Sequence, residues 1–335
     1  MLATCQQGYE RHLTGELVRA GFPPREHGAG WVVCGSDASR EPPDLAFAHL
    51  VLPAPRELRA GTVNALVPQI VDFFAESLRD ERVEAAWPCG WSGAAGMAGL
   101  ARRVIAGEKT FCDLLRRRLS RVARLALPGM PRGVGSVRGL YVFFTDFDRA
   151  FAARTAVLGG QRRMADDPAS PSRSYLKIEE AYGVLGVAPR PGETVVDLGA
   201  APGGWSYSAA QRGAQVVAVD HGLLKGGARG HPRIEHRRED AFGFRPAAGG
   251  VFDWLLCDLI EEPHHVLRHL VQPWLKQRWC RRFVVNLKFG RADPLAFLSE
   301  LRDPSSPFAA HAASFRIRHL YHDREEFTVV GEVKR

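Results

Sequence analysis

The stretch TVVDLGAAPGGW, from Thr194 to Trp205, combines an apolar strand with a glycine-rich loop that opens a helix. Glycines in such a loop let the backbone approach a ligand closely, and the helix N-terminus offers free N–H groups. A dinucleotide-binding loop has the spacing GxGxxG at this point, which the stretch lacks. Its acid, Asp197, lies at the strand end before the first glycine. This arrangement suits a ligand with an α-amino group and a sulfonium, and it predicts a site for S-adenosylmethionine.

Alternating strands and helices continue from this stretch along the chain. Apolar runs bounded by turn residues predict strands at Thr194–Leu198, Val216–Asp220, Arg233–Arg237, Trp254–Asp258, Phe283–Leu287, Phe315–Leu320 and Phe327–Val333. The last two flank a polar connection too short for a crossover helix, so they form an antiparallel hairpin. A parallel sheet that ends in such a hairpin is the topology of class I methyltransferases. The predicted fold class is therefore α/β, with a Rossmann-like sheet of this type after an α+β region.

Two aspartates follow the next strands of the predicted sheet. Asp220 ends the second strand, where an acid can hold ribose hydroxyls. Asp240 follows the third strand, where its carboxylate can accept a hydrogen bond from an adenine amino group. Either residue alone fits a cap or a turn equally well. Because they come at successive strand ends of one sheet, together they favour a site for the methyl donor.

Four charged residues are predicted at the same edge of the sheet. Asp258 ends the fourth strand, and Lys288 ends the fifth. Lys177 begins the helix before the sheet, and Glu326 opens the final strand. Of the 45 lysines and arginines only six are lysine, and two of these six lie at this edge. A lysine there can exchange a proton, whereas an arginine stays charged. The alternative interpretation is a pair of unrelated surface salt bridges.

This set of residues has a chemical use in ribose methylation. A free lysine amine, with a pKa of about 10.4, is protonated at neutral pH, whereas burial and a second cation favour the neutral amine. Lys288 is therefore predicted to accept the proton of a ribose 2′-hydroxyl, while the other three residues position it. Neighbours on a strand point to opposite faces, so only one of Glu325 and Glu326 can take part, and the prediction is Glu326. Because methyl transfer is an in-line displacement, orientation supplies most of the acceleration.

Other chemistries have their own motifs. Enzymes that methylate exocyclic amines usually carry an (Asp/Asn)-Pro-Pro-aromatic motif after the fourth strand, where this chain has Cys-Asp-Leu-Ile. A cytosine C5 enzyme needs a cysteine in a Pro-Cys or Thr-Cys motif, so Cys257 is interpreted as a small buried apolar side chain. His265 and His269 are spaced i, i+4 on a predicted helix beside His264, but no further ligand accompanies them. No metal site is predicted.

A polar stretch, GGQRRMADDPASPSR at 159–173, separates two halves of different character. It is predicted to be a linker between an α+β region at 1–158 and a methyltransferase domain at 174–335. The predicted elements of the first half are strands at Leu2–Thr4, Trp31–Cys34 and Leu140–Thr145, a helix that ends at Gly21 and a helix over Val67–Leu78.

The most basic segment of the chain lies in the first half. Between Arg102 and Arg138 there are ten basic residues and two acids, which matches the net charge of +8 of the whole chain. Clustered arginines release counterions from a nucleic acid backbone, so this segment is predicted to bind RNA phosphates. The predicted contacts are Arg116, Arg117, Arg118, Arg121 and Arg124. A solvated helix face is the alternative, and a membrane-surface helix is disfavoured because no bulky aromatic stripe accompanies the arginines.

Composition places the chain among globular proteins. Its 335 residues suffice for two domains, and 45% hydrophobic with 24% charged residues exclude a disordered or fibrous chain. The six cysteines fall at irregular spacings without a CxxC pair, which predicts reduced thiols. The sequence shows no signal-peptide pattern and no apolar run of 18 residues. We expect a cytoplasmic protein without a membrane partner.

Six short segments give the sequence a family resemblance. In chain order they are SRSYLKIEEA, DLGAAPGGW, REDAF, CDL, NLK and YHDREE, and they run from about Ser172 to Val333. Together they resemble the ribosomal RNA large subunit ribose 2′-O-methyltransferase M family. The core is also similar to the wider family of heat-shock ribosomal RNA and cap ribose methyltransferases, which share the Lys-Asp-Lys-Glu set. The first half matches the family in outline, through CQQGYERHL, the basic helix and the strand GLYVFF.

The resemblance implies an activity and a set of site residues. Lys288 would be the proton acceptor, with the other three charged residues beside it. The methyl donor would bind at Ser174, Ala201, Pro202, Gly203, Gly204, Asp220, Asp240 and Asp258. The first half would hold a ferredoxin-like subdomain and a THUMP RNA-binding domain, and the target would be a cytidine of large-subunit ribosomal RNA. An RNA base methyltransferase and a non-catalytic RNA-binding protein on a methyltransferase scaffold stay as alternatives; loss of the four charged residues would be the sign of the latter.

Overall fold

The computed structural model describes residues 1–35, 40–290 and 292–335. The chain divides into two compact units, Met1–Gly159 and Gly160–Arg335. The stretch predicted as a linker, 159–173, differs from that expectation, because from Gly160 onward it belongs to the second unit. The Arg162 N–H donates to Glu180 Oε1 at 3.0 Å, and the Gly227 N–H donates to the Ala169 carbonyl at 2.8 Å. Both bonds join this stretch to elements of the second unit.

The first unit is a mixed sheet with helices. Its strands, within the described residues, are β1 (Leu2–Thr4), β2 (Pro24–Gly28), β3 (Trp31–Cys34), β4 (Leu50–Leu52), β5 (Arg56–Arg59), β6 (Trp87–Gly93), β7 (Ala126–Pro128), β8 (Val134–Phe144) and β9 (Arg149–Gly159). Its helices are α1 (Glu10–Arg19), α2 (Val63–Glu76), α3 (Leu100–Arg118) and α4 (Ser120–Arg124). The strand order is β2-β3-β1-β4-β9-β8-β6-β7, with β5 also pairing with β9.

Helices α2 and α3 supply the larger core of this unit. Ile70 and Phe74 on α2 and Phe111 on α3 are fully buried in one cluster with residues of β6 and β8. The i, i+4 spacing of Ile70 and Phe74 puts both side chains on one helix face. On α3 the burial of Phe111 turns the opposite, arginine-bearing side of the helix toward solvent.

The second unit has the predicted sheet. Its strands are β10 (Thr194–Leu198), β11 (Gln215–Val219), β12 (Ile234–Arg237), β13 (Phe252–Cys257), β14 (Cys280–Lys288), β15 (Ala312–Arg318) and β16 (Glu326–Val333). They are ordered β12-β11-β10-β13-β14-β16-β15, and the first five are parallel. Strand β16 lies antiparallel between β14 and β15. The α/β class and the closing hairpin are therefore confirmed.

Helices cover this sheet. They are α5 (Tyr175–Leu185), α6 (Gly204–Gln211), α7 (Pro263–Val266), α8 (Gln272–Lys276), α9 (Pro294–Arg302) and α10 (Pro307–His311), with a π-helical turn at Leu267–Val271 and a 3₁₀ turn at Gly226–Ala228. Helical backbone continues from α7 through the π turn into α8, so Pro273 does not break the helix. The π turn ends just before Pro273, whose ring has no N–H with which to continue the i→i−4 hydrogen bonds of an α-helix. Among the described helices none is long and apolar enough to span a bilayer.

Candidate active site

Two lysines and two carboxylates meet at one edge of the second unit's sheet. Lys288 Nζ donates a hydrogen bond to Asp258 Oδ1 at 2.6 Å and lies 3.8 Å from Glu326 Oε2. Lys177 Nζ forms an ion pair with Glu326 Oε1 and lies 4.0 Å from Asp258 Oδ2. Each lysine thus contacts both carboxylates. The structure brings the four predicted residues into one cluster, which we call the tetrad.

Strand direction explains how these side chains meet. Strands β13 and β14 are parallel neighbours, so Asp258, directly after β13, and Lys288, at the end of β14, share one edge. Strand β16 runs the other way, and its first residue, Glu326, is the register partner of Lys288. Lys177 lies in the first turn of α5. Because an antiparallel strand begins where its parallel neighbours end, residues far apart in sequence reach the same place.

Burial and charge act on Lys177 in opposite directions. Its side chain is only 13% exposed, and burial by itself would lower the pKa of its amine. The negative charges of Asp258, Glu326 and Asp323 outweigh burial and raise that pKa above its ordinary value. Lys177 is therefore an ammonium at neutral pH, and it holds Glu326 in place.

The two adjacent glutamates point in different directions. Glu326 is 4% exposed, and its Oε1 also accepts a hydrogen bond from the Arg324 N–H at 3.1 Å. Glu325 is exposed, and its backbone carbonyl accepts a bond from the Phe289 N–H at 3.0 Å. The structure places Glu326 in the tetrad and Glu325 toward solvent.

The glycine-rich loop connects β10 to α6 beside this cluster. A Cβ on Gly199 would lie 2.5 Å from the side chain of Leu259, the residue after Asp258. Gly203 has a φ of +109°, and a Cβ there would lie 2.5 Å from the Ala228 Cβ. A β-branched residue at Gly203 would therefore collide with the unit's own packing and strain its backbone, besides blocking a ligand.

Asp220 organises the loop from the neighbouring strand. Its Oδ2 accepts a hydrogen bond from the Ala201 N–H at 2.9 Å, and its Oδ1 accepts one from the Gly222 N–H at 2.7 Å. This links Asp220 to the Ala201–Pro202 part of the loop. Asp240 lies beyond β12 with an exposed side chain, and its Oδ1 accepts a bond from the Phe242 N–H at 3.1 Å. Both carboxylates are therefore at strand ends next to one another in the sheet.

Ser174 reaches the same loop from the start of α5. Its Oγ lies 2.7 Å from Ser172 Oγ, and a Cβ on Gly204 would lie 2.9 Å from it. The Ser174 carbonyl accepts a hydrogen bond from Trp205 Nε1 at 2.9 Å. Ser174, Gly203 and Gly204 thus lie close together. Ser172 shares this position and was not predicted, since nothing in its sequence context separates it from the serines around it.

Asp197 differs from its predicted role. The sequence assigned it direct contact with the ligand, but its side chain is 1% exposed and its Oδ2 accepts a hydrogen bond from Ser206 Oγ at 2.6 Å. Burial raises the pKa of Asp197 to about 7, against the bond from Ser206, which lowers it. In this geometry Asp197 joins the strand end to α6 and supports the loop from beneath.

Two buried acids near the tetrad were not predicted. Asp323 is 1% exposed and accepts bonds from the Leu320 N–H at 2.9 Å and from Thr328 Oγ1 at 3.0 Å. Burial, followed by the charge of Glu326, raises its pKa well above the ordinary value. Glu180 is fully buried on α5, one turn after Lys177. Both acids lie in the quoted segments YHDREE and SRSYLKIEEA, and that membership was the available signal.

The cysteine and histidines considered for other chemistries do not form a nucleophile or a metal site in the described part of the chain. Cys257 is fully buried, and burial raises the pKa of its thiol to about 12, so it is a poor nucleophile. His264 bridges Glu262 and Glu300 at 2.5 and 2.8 Å, and these partners raise its pKa. The His265 and His269 rings lie 4.5 Å apart. No group of three potential metal ligands occurs among the described residues.

The arginines predicted to bind RNA are all exposed on the first unit. The expected single helix is interrupted, since α3 ends at Arg118 and α4 begins after Leu119, whose φ of −138° is not helical. Arg116 pairs with Asp113 at 2.9 Å, and Arg118 pairs with Asp72. For Arg117, Arg121 and Arg124 the described part of the chain offers no carboxylate within ion-pair distance. These last three are the arginines available to an anionic partner.

Comparison with known proteins places the chain among RNA methyltransferases. Residues 171–285 match the family described as FtsJ-like methyltransferase. The ribosomal RNA large subunit methyltransferase M of Laribacter hongkongensis is 34% identical, over 98% of this chain and 95% of that protein. The enzyme of the same name from Alkalilimnicola ehrlichii is 35% identical, over 98% and 93%. The one from Halorhodospira halophila is 33% identical, over 97% and 94%.

Proposed function

We infer the function from the family to which the chain belongs, the ribosomal RNA large subunit methyltransferase M family. The protein is an S-adenosylmethionine-dependent methyltransferase that modifies a ribose in large-subunit ribosomal RNA. We propose further that the tetrad is its catalytic site and that the target nucleotide is a cytidine. We also propose that the first unit, ferredoxin-like plus THUMP-like, binds the RNA and that the protein acts in the cytoplasm on ribosomal RNA.

The residues around the glycine-rich loop fit S-adenosylmethionine chemically. Carboxylates at the ends of β11 and β12, from Asp220 and Asp240, can accept hydrogen bonds from ribose hydroxyls and from the adenine amino group. Gly203 caps α6 and Gly204 is its first residue, so the N-terminus of this helix favours close approach of a polar ligand. We propose that these residues, with Ser174, Ala201, Pro202 and Asp258, hold the methyl donor.

The tetrad would act on the ribose that receives the methyl group. When bound, S-adenosylmethionine supplies that methyl group, which leaves its sulfonium for the 2′-oxygen. Lys288 takes the hydroxyl proton as the oxygen becomes a nucleophile, so it must enter this step as a neutral amine. Asp258 orients the Lys288 amine through their 2.6 Å hydrogen bond. Lys177, with its raised pKa, keeps its own proton and fixes Glu326.

The observation that carries this proposal is the closed set of contacts among two lysines and two carboxylates beside the glycine-rich loop. Its test is a map of ribose methylation in total ribosomal RNA from cells with and without the protein. One 2′-O-methyl group, at a cytidine of the large-subunit RNA, should be absent without the protein and return with the wild-type chain. A Lys288→Ala chain should not restore it. A missing base methyl group instead would refute ribose as the target.

A further inference from the structure

A buried carboxylate fixes two loops next to the tetrad. Glu180 accepts hydrogen bonds from the Arg162 N–H at 3.0 Å, the Tyr321 N–H at 3.0 Å and the His322 N–H at 3.3 Å. It is fully buried and lies on α5 one turn after Lys177. Glu180 therefore ties the segment after Gly160 and the turn before β16 to the helix that bears a tetrad lysine.

These two loops present arginine and aromatic side chains together. The guanidinium carbon of Arg163 lies 5.7 Å from the centre of the Tyr321 ring. The Met164 N–H donates to His322 Nε2 at 3.0 Å, which requires that nitrogen to be unprotonated. Burial lowers the pKa of His322, and so do the positive charges of Arg173 and Arg163. We call Arg163, Arg173, Tyr321 and His322 the rim surface.

The rim surface has positive charge without a local partner. Arg163 and Arg173 are exposed, and among the described residues neither has a carboxylate within ion-pair distance. Acids are present nearby, since Asp166 acts on His322 and the exposed Glu325 lies in the same turn. Their two charges oppose those of the two arginines, so the surface is no simple electropositive patch. What sets it apart is a guanidinium placed over an aromatic ring, with tetrad residue Glu326 five positions after Tyr321.

We propose that the rim surface binds single-stranded RNA flanking the target nucleotide; this inference rests on the proposed ribose methylation by the tetrad. Single-stranded RNA is recognised by stacking of unpaired bases on aromatic rings and on guanidinium planes, together with contacts to phosphates. Arg163, whose guanidinium lies over the Tyr321 ring, offers such a plane to a base. Arg173 neutralises a neighbouring phosphate. The backbone bonds to Glu180 fix the two loops before RNA arrives, which lowers the ordering cost of binding.

The test compares the Arg163→Ala/Arg173→Ala double variant with an Arg190→Ala control. Arg190 is also exposed but precedes β10, so it lies at the opposite edge of the sheet. The probe is large-subunit ribosomal RNA from cells that lack the protein. The double variant should raise the KM for this RNA about tenfold or more and flatten the dependence of log affinity on log salt by ~0.7 for each lost phosphate contact. Turnover at saturating RNA and S-adenosylmethionine affinity should stay within about twofold of wild type.

A Tyr321→Leu variant separates stacking from charge. Loss of base stacking should weaken RNA binding about fivefold or more without changing the salt slope. With an active wild type, a KM for RNA and a salt slope of the double variant equal to those of Arg190→Ala would overturn the proposal that the rim surface binds RNA. A fall in turnover with an unchanged KM would also overturn it, because that pattern means a displaced Glu326. A wild type that transfers no methyl group to this RNA would instead refute the proposed function.

Discussion

Lys288 and Glu326 are direct register partners across β14 and β16, and their charged atoms lie 3.8 Å apart. One residue ends its strand and the other begins its strand, so both side chains leave the sheet at the same edge. Their relationship is fixed by the backbone hydrogen bonds of the ladder. The predictions below separate what each member of this site does.

Replacement of Lys288 by alanine should abolish methyl transfer while S-adenosylmethionine still binds. Proton transfer by a positioned side chain contributes about 10²–10⁴-fold, so a loss of turnover of that size is expected. Lys288→Arg should fail as well, because a guanidinium stays charged and cannot accept a proton. Single-turnover methylation and calorimetry of cofactor binding measure the two effects. An arginine variant with near-normal turnover would show that the residue supplies only positive charge.

Glu326 and Glu325 form a matched pair for mutation. Glu326→Gln removes the carboxylate that pairs with the buried Lys177. A hydrogen bond to a charged group contributes about 1.5–3 kcal/mol, and if the lost free energy raises the activation barrier, turnover should fall roughly tenfold or more. Glu325→Gln changes an exposed side chain and should leave turnover within about twofold. The two variants are compared by kcat at saturating RNA. Loss of activity in Glu325→Gln alone would reverse the assignment.

Asp240 should contribute to cofactor affinity without contributing to chemistry. Asp240→Ala should weaken S-adenosylmethionine binding by about 1–1.5 kcal/mol, the usual loss for one hydrogen bond, or roughly fivefold to tenfold. Its neighbour Glu239 is also exposed, so Glu239→Ala serves as the control. Calorimetry of both variants measures the difference, and thermal unfolding checks the turn that Asp240 caps. Equal affinities would remove Asp240 from the cofactor site.

The sheet of the second unit was predictable because its strands are continuous apolar runs. All seven predicted strands are present, with ends that differ by at most three residues. The first unit was predictable only in part. Strand β2, PREHG, and strand β5, RELR, are polar and mostly exposed, and they are strands because neighbours pair with them. Such pairing is a tertiary effect that local sequence does not encode.

Neutralising Arg117, Arg121 and Arg124 together should weaken RNA binding across sequences. Each lost phosphate contact should flatten the dependence of log affinity on log salt by ~0.7–0.9, or by ~2.1–2.7 for all three. Arg116 and Arg118 already pair with acids, so their double variant should change the slope less. The target nucleotide should stay the same, because phosphate contacts position RNA without reading it. An unchanged slope in the triple variant would mean that RNA binds elsewhere.

Asp197 should make folding stability depend on pH. Burial raises its pKa from an ordinary 3.8 to about 7, so the folded state holds a proton that the unfolded chain has released. The stability from this proton is complete below about pH 4 and is lost as the pH rises to about 7. Asp197→Asn should remove the dependence and gain about 1–3 kcal/mol on the wild type between pH 5 and pH 8. Denaturant unfolding of both proteins at about pH 5 and about pH 8 measures the free energy of unfolding. An equal change of this free energy with pH in the wild type and in Asp197→Asn would contradict the prediction.

The site itself was predictable at the level of residue type and strand end. Asp258 and Lys288 converge because parallel strands share an edge. Glu326 joins them because the antiparallel strand β16 begins at that edge, and Lys177 comes from the first turn of α5. The supporting roles of Asp197, Asp323 and Glu180 were not predicted, although all three lie in the quoted segments, since an acid that is buried looks the same in sequence as one that is exposed. Only the packed structure shows which carboxylates accept backbone N–H groups.

The pairing of Lys288 with Glu326 makes the position of the tetrad glutamate depend on the register of β16 against β14. Side chains alternate along a strand, so a slip of β16 by one residue against β14 would replace Glu326 by a neighbour facing the other way. An insertion or deletion of one residue in the turn between β15 and β16 that shifts this register would therefore move Glu326 away from Lys288 and would also turn the buried side chains of β16 to the wrong face. That turn looks like an ordinary polar connection in the sequence. Its length nevertheless helps to set where β16 begins, and therefore where Glu326 lies relative to the two lysines.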